Sequence, residues 1–217
     1  MKRNMRHKAY QKIKEFILFL DLKPGQKVLE SEISERLKIG RTPVREALMM
    51  LENERLVICG EKKGFFVRNL SAKEMKEYFK MRTLMEHFAI PLIIERITPS
   101  AIKALEKNLS KAEEAAEKGK FRDIIRYETQ FHEILYKTTE SEIFIETISG
   151  LVDKFQWLRA IGLSAENGAR ESLSDHRRIL VSIVEKDEEQ LKKIIEEHLQ
   201  HAEEKVQLYA GAFLLKP

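Results

Sequence analysis

The run Gly40-Arg41-Thr42-Pro43-Val44-Arg45-Glu46-Ala47-Leu48 constrains the chain more than any other stretch. Val44, Ala47, Leu48 and Leu51 stand at i, i+3, i+4 and i+7, which makes one apolar stripe of a buried helix. Thr42 is suited to cap that helix with its hydroxyl, and Pro43 to open its first turn, where no amide bond is lost. Arg41 and Arg45 fall off the stripe, so burying the helix turns two guanidinium groups outward at its N-terminal end. Guanidinium is the group best suited to bidentate contact with guanine edges and phosphates. Such a helix is built to enter a DNA groove.

The neighbouring sequence supplies the frame for that helix. Met1 to Lys8 reads as a basic, mobile arm, and Ile13, Phe16, Ile17 and Leu20 then repeat at helical spacing over residues 9–20. Pro24-Gly25 signals a turn, Lys27-Val28-Leu29 a short extended piece, and Ser31 the start of a second helix with Ile33 and Leu37 inward. A short turn containing Gly40 then leads into the opening helix, as a helix-turn-helix requires. After Arg55, two β-rich runs, Leu56–Cys59 and Phe65–Arg68, flank the loop Gly60-Glu61-Lys62-Lys63-Gly64. They read as a hairpin wing that would carry Lys62 and Lys63 over a DNA backbone.

From Ser71 onward no strand signal remains. Ser71 and Glu74 have the spacing of a capping box, and helical patterns cover about 72–96, 99–118, 121–139, 142–163, 167–185 and 187–212. Pro91 should kink or split the first of these near Ala89. The expected fold is mainly α: a winged helix-turn-helix of three helices and a small β wing over 1–70, then an all-α helical bundle over 71–217.

Charge divides the chain in the same place. Residues 1–70 hold 16 Lys and Arg against 9 Asp and Glu, whereas the net charge of the whole chain is only +4. A basic first half joined to a mildly acidic second half points to a polyanionic partner for the first alone. No run of about 18 apolar residues suggests a membrane span, and no cleavable leader follows the basic N-terminus. Cys59, the single cysteine, has no internal partner for a disulfide. A cytoplasmic location is expected.

The second half carries one constellation with chemical content. Glu128 and His132 are spaced i, i+4 and share a helix face, while His176 and His198 come from two later helices. Inward residues of facing helices can meet in a bundle core and bind a metal. Three imidazoles and a carboxylate suit a divalent transition metal such as Zn, Ni or Mn better than Ca. Taken singly, each histidine is more often a satisfied core or surface residue than a ligand. His201 competes with His198, and His87 and His7 read as structural.

Both halves resemble a known family. The segment from Lys23-Pro24-Gly25 through Arg41-Thr42-Pro43-Val44-Arg45-Glu46-Ala47-Leu48 to Gly64-Phe65-Phe66-Val67 resembles the winged helix of the GntR family of bacterial transcription regulators. Arg82-Thr83-Leu84-Met85-Glu86, Phe131-His132, His176-Arg177-Arg178-Ile179-Leu180, and Asp187 leading to His198-Leu199 resemble the FCD effector domain of its FadR subfamily. The resemblance implies a homodimer on a pseudopalindromic double-stranded operator, with Arg41, Thr42 and Arg45 near the DNA and Gly64 at the wing tip. It also implies that 71–217 is an effector-binding and dimerisation domain. There a metal held by Glu128, His132, His176 and His198 sits beside a small organic acid, and Arg82 and Arg159 are the cations expected to face that acid. Three departures stand out: Gly40 where the family has Ser, Glu128 where it has Asp, and Glu140-Ser141-Glu142 where it has a small residue and Asn. Six helical segments fit the smaller, VanR-like variant of the domain.

The expected function is therefore a transcription regulator, a repressor that responds to a small carboxylate, and not an enzyme. The rival reading is a metal-dependent hydrolase with an accessory nucleic-acid domain, since a metal can activate water. No separate acid or base at fixed spacing supports it. A DNA-compacting architectural protein is a third reading, which predicts binding without sequence preference.

Overall fold

The computed structural model describes residues 2–60 and 64–214. The chain divides into two compact units, 1–70 and 71–217.

The first unit runs α1 (Lys2–Leu18), β1 (Lys27–Val28), α2 (Glu30–Leu37), α3 (Arg41–Asn53), β2 (Val57–Gly60) and β3 (Gly64–Val67). Ala9, Ile13 and Ile17 of α1 are buried together with Val44, Ala47, Leu48 and Leu51 of α3, so the apolar stripe of α3 is the core of this unit. The sheet order is β1-β3-β2, antiparallel throughout, with Cys59 opposite Phe65 and Val28 opposite the same Phe65. A Cβ at Gly60 would lie 2.7 Å from Phe66 Cε2, which explains glycine at this edge of the wing.

Three expectations for this unit change. Helix α1 begins at Lys2, so the basic arm is helical and continuous with the segment behind it. The extended piece at Lys27-Val28 pairs with β3, which makes the wing sheet three-stranded. Thr42 does not cap α3: the cap is Gly40, extended at φ −58° and ψ 157°, and helix begins at Arg41. Pro43 still fits, because every amide in the first turn lacks a helical acceptor. The shift leaves the Thr42 side chain exposed rather than folded back on the backbone.

The second unit is helical throughout its described residues: α4 (Ala72–Arg96), α5 (Pro99–Glu117), α6 (Phe121–Thr138), α7 (Glu142–Ser149), α8 (Val152–Ser164), α9 (Gly168–Glu185) and α10 (Glu188–Leu214). Capping signals hold at the atomic level. The Glu74 amide donates to Ser71 Oγ at 3.2 Å while the Ser71 amide donates to Glu74 Oε2 at 2.9 Å. Thr98 caps α5 ahead of Pro99, and Asp187 accepts from the Gln190 amide at 2.9 Å.

Seven helices stand where six were expected, because 142–163 breaks at Gly150-Leu151. Apolar periodicity carries straight through that break, since Phe144, Ile148 and Phe155 all enter one core. The seven-helix form, not the smaller variant, is therefore the one observed. Pro91 does not split α4. Interior proline costs a helix about 3 kcal/mol, but Ala89, Ile90 and Ile93 on both sides of it are buried in the core and hold the helix through it. At the junction of α8 and α9, a Cβ on Gly168 would lie 2.2 Å from the Gly162 carbonyl oxygen, so glycine permits the two helices to meet. That contact forms one wall of the cavity described next.

Candidate functional site

In the second unit, α6 places Glu128 and His132 one turn apart on its buried face, α9 places His176 between them, and α10 brings His198. One nitrogen from each of His132, His176 and His198 lies within 4.8 Å of the others. The closest approach is 3.2 Å between His132 Nε2 and His176 Nε2. Phe131 stacks flat on the His176 ring, with centroids 4.2 Å apart at 7°, and fixes its plane.

Glu128 occupies a different position from the one expected. Its Oε1 faces His176 Nδ1 at 3.3 Å, and its Oε2 accepts from Ser172 Oγ at 2.6 Å. It therefore lies on the Nδ1 side of His176, whereas His132 meets Nε2. Four residues of helix rise about 6 Å, and an imidazole ring spans most of that gap. The shared face inferred from i, i+4 spacing is correct, but His176 stands between its two members.

Carboxylates stand behind the other rings too. Asp175 Oδ2 is 3.5 Å from His198 Nδ1 and 3.2 Å from His201 Nδ1. Glu86 Oε1 is 3.7 Å from His132 Nδ1, and it accepts from Tyr136 Oη at 2.6 Å and from Arg82 Nε at 3.1 Å. Sequence reading did not single out Asp175, Ser172 or Glu86 as site residues. Ser172, four residues before His176, and Glu86, four after Arg82, could have been found from helical spacing; Asp175 could not.

Arg82 and Arg159 are both buried beside the cluster, but they differ in partners. Arg82 is held by Glu86, and its Nη2 lies 3.0 Å from Nε2 and 3.3 Å from Nδ1 of His132. One atom at nearly equal distance from both ring nitrogens sits over the ring rather than in line with either one. Arg159 donates from Nη1 to Thr129 Oγ1 at 2.9 Å, while its buried Nε has no hydrogen-bond partner.

Electrostatics follow from this crowding. Burial, reinforced by the charges of Arg82 and Arg159, pushes His132 well below the usual imidazole range. Burial likewise takes His198 down to about 4, against the opposing hydrogen bond of Asp175. Burial alone would raise Glu128, yet the His176 ring and the Ser172 hydroxyl outweigh it and hold the carboxyl low. Burial and the neighbouring Arg82 bring Arg159 down to about 10. Imidazole binds metal only when neutral, so these surroundings keep His132 and His198 in the ligating state.

The donors fit a metal: three converging, buried imidazoles, with an unsatisfied carboxylate oxygen, Glu128 Oε1, against one of them. A cavity of about 30 Å³ reaches the cluster and is lined by Arg82, Arg159, Ser172, Asp175, His198 and Lys205, among others. That is room for water or a single ion, and too little for an organic acid of several heavy atoms.

In the first unit, Arg41, Thr42 and Arg45 are all exposed on the front of α3. Arg45 has Glu30 3.8 Å away but keeps two thirds of its side chain in solvent. Gly64 opens β3 opposite Gly60 at the end of the hairpin. Lys62 and Lys63 lie outside the described residues. Among the described residues no helix is long and apolar enough to cross a membrane.

Comparison with known proteins follows the same division. Residues 5–67 match the family model for bacterial regulatory proteins of the gntR family, and residues 77–201 match the FCD domain. The chain is 28% identical over 193 residues to the uncharacterized HTH-type transcriptional regulator YdhC of Bacillus subtilis, covering 88% of this chain and 86% of that one. It is 29% identical over 186 residues to the HTH-type transcriptional regulator McbR of Escherichia coli, covering 82% of each. A solved structure of E. coli McbR superposes with a TM-score of 0.76 at 24% identity over 96% of this chain and 98% of that chain. A metal-free FCD domain superposes with a TM-score of 0.58 at 17% identity over 67% of this chain and 99% of that chain.

Proposed function

Because this chain belongs to the gntR family of bacterial regulatory proteins and carries its FCD domain, we propose a metal-centred regulator in which the histidine cluster governs operator binding. That it is a transcription regulator, rather than an enzyme, follows from the family and from relatives named as regulators. No relative supports the hydrolase reading.

The first unit reads double-stranded DNA through α3. Arg45 and Arg41 supply donors for base edges or phosphates, and Thr42, freed from capping, supplies a hydroxyl. Lys62, Lys63 and the basic α1 add salt-dependent phosphate attraction, with Gly64 close to the backbone. The second unit holds a divalent transition metal through His132, His176 and His198, with Glu128 beside them. When bound, the metal supplies a Lewis-acid position for one oxygen of a small carboxylate effector. Arg159, with an unused buried Nε, offers the matching cation. Arg82 is already held by Glu86 and orients His132. The narrow cavity requires the wall formed by Lys205, Glu171 and Arg159 to open when the acid enters. The acid acts as a switch only if it binds one arrangement of the protein more tightly than the other.

A homodimer would bury the apolar face of the second unit. Met81, Leu84 and Phe88 of α4 and Ile143 of α7 are at least half exposed, on the side of α4 away from the histidines. This protein would work in the cytoplasm, where its DNA is.

The observation that carries the reading is the convergence of three buried imidazoles, His132, His176 and His198, within 4.8 Å of one another, with His198 lining the adjoining cavity. It is tested by measuring operator affinity of the full chain, metal-loaded and chelated, against a panel of small carboxylates. A carboxylate that changes affinity only in the loaded, wild-type protein supports it. Operator binding indifferent to metal and to every acid overturns it.

A further inference from the structure

We propose that Lys205 and Glu171 form a gate over the histidine cavity, in which the Glu171 carboxylate holds the place at Lys205 that an entering acid takes over. The proposal rests on the reading that this cavity receives a metal and an acid, and it names what keeps the cavity shut.

The cavity of about 30 Å³ is walled in part by the facing ends of α8 and α9 and by α10. The turn between α8 and α9 is tight. The Ala165 amide donates to the Gly162 carbonyl at 3.2 Å and the Gly168 amide to the Ala165 carbonyl at 3.0 Å, with Asn167 left-handed at φ 59°. Gly162 brings α8 against α10: a Cβ there would lie 3.6 Å from the Ala202 carbonyl oxygen and 4.0 Å from Lys205 Cβ. From that contact Lys205 reaches across. Its ammonium donates to the Glu166 carbonyl at 3.0 Å and to Glu171 Oε1 at 3.1 Å. One side chain of α10 thus ties down both the turn and the first turn of α9. His198 and Arg159, whose buried Nε has no hydrogen-bond partner, line the same cavity.

Three features make this clasp a gate rather than a brace. Lys205 keeps 23% of its side chain in solvent and Glu171 keeps 44%, and an ion pair so exposed contributes little to stability and opens at small cost. An ammonium carries three donors, of which two are used here, which leaves one for an arriving anion. The group to be displaced is itself a carboxylate, so an entering acid replaces it by the same chemistry and releases α9 from α10. Glu171 then turns into water.

The test follows zinc into and out of the full-length protein by stopped-flow mixing with a fluorescent chelator, since an ion that reaches the histidines through this mouth must pass the clasp. Lys205→Met removes both bonds. It should speed binding and release alike, about 10-fold for one exposed ion pair and one hydrogen bond, with the dissociation constant unchanged. Glu171→Ala should move both rates the same way by less, and Lys205→Arg, which keeps the charge and the donors, should stay as slow as wild type. In metal-free protein, carbethoxylation of His198, mapped by mass spectrometry, should quicken in Lys205→Met while exposed His7 reacts as in wild type. Formate, the smallest carboxylate, should quicken His198 in the wild type and have no further effect on Lys205→Met. Zinc rates unmoved by Lys205→Met, or a weaker dissociation constant that comes from release alone, overturn the gate and make Lys205 a brace. So does a His198 that formate, against chloride at matched ionic strength, leaves as slow as before. Protein that folds and takes up no zinc refutes the histidine reading, while the carbethoxylation of His198 still decides the gate.

Discussion

The two units spend their arginines in opposite ways. In the first, Arg45 is 66% exposed, with the Glu30 carboxylate 3.8 Å away. In the second, Arg82 is 4% exposed, is held by Glu86, and lies over the faces of His132 and Phe155. An exposed guanidinium is free to meet a partner and contributes little to stability. A buried one must be compensated inside the protein, so it orders the side chains around it. The contrast separates a surface that acts on contact from a core site that must be organised before it acts.

The strongest way to break that contrast is to orphan the buried cation. Glu86→Leu leaves Arg82 and the Tyr136 hydroxyl without their shared acceptor, and urea unfolding should show a loss of about 3–5 kcal/mol, the cost of an uncompensated buried charge. A loss below about 1 kcal/mol, the range of surface ion pairs, would mean that Arg82 is effectively solvated.

Acid probes the same core in metal-free protein. His198 is depressed to about 4 by burial, and His132 is depressed in the same direction. The folded state therefore prefers both rings neutral. Their contribution is fully present above the unfolded value near 6.5 and is lost as pH falls toward 4. At about 1.4 kcal/mol per unit of depression, His198 alone implies a change on the order of 3 kcal/mol. Chemical denaturation between pH 7 and 4 measures it, and a flat profile would contradict the burial argument.

Metal removal comes next. With free metal at about 100 times its dissociation constant, binding stabilises the folded state by about 2.7 kcal/mol. His176→Ala should lose that increment and respond no further to chelator. If wild type and variant melt together with and without metal, the cluster is not the site.

The smallest effect belongs to the exposed face. Arg45→Ala should leave stability unchanged and cost about 1–3 kcal/mol of operator discrimination if Arg45 reads a base edge. Equal losses on operator and unrelated DNA would assign it to phosphate instead.

The same contrast governs what the sequence could disclose. The α3 stripe is contiguous, so its helix, its buried face and its outward arginines all follow from one short run. Even there the helix start was displaced, because Gly40 in extended conformation can cap without a side chain and Thr42 need not. The histidine cluster draws on α6, α9 and α10, and spacing fixes only neighbours on one helix. Glu128 and His132 were legible as a pair. That His176 would enter between them depends on how α9 packs, which no local pattern encodes. Asp175 was missed because it adjoins His176 in sequence yet serves the next helix. The break at Gly150-Leu151 was missed because hydrophobic periodicity continues across it.

The central claim is that this buried cluster binds a metal, and elemental analysis of full-length protein purified without chelator tests it most directly. Close to one divalent transition-metal ion per chain is expected in wild type and none in His176→Ala. Wild-type protein that folds, binds DNA and remains free of metal after incubation with Zn or Ni would contradict it.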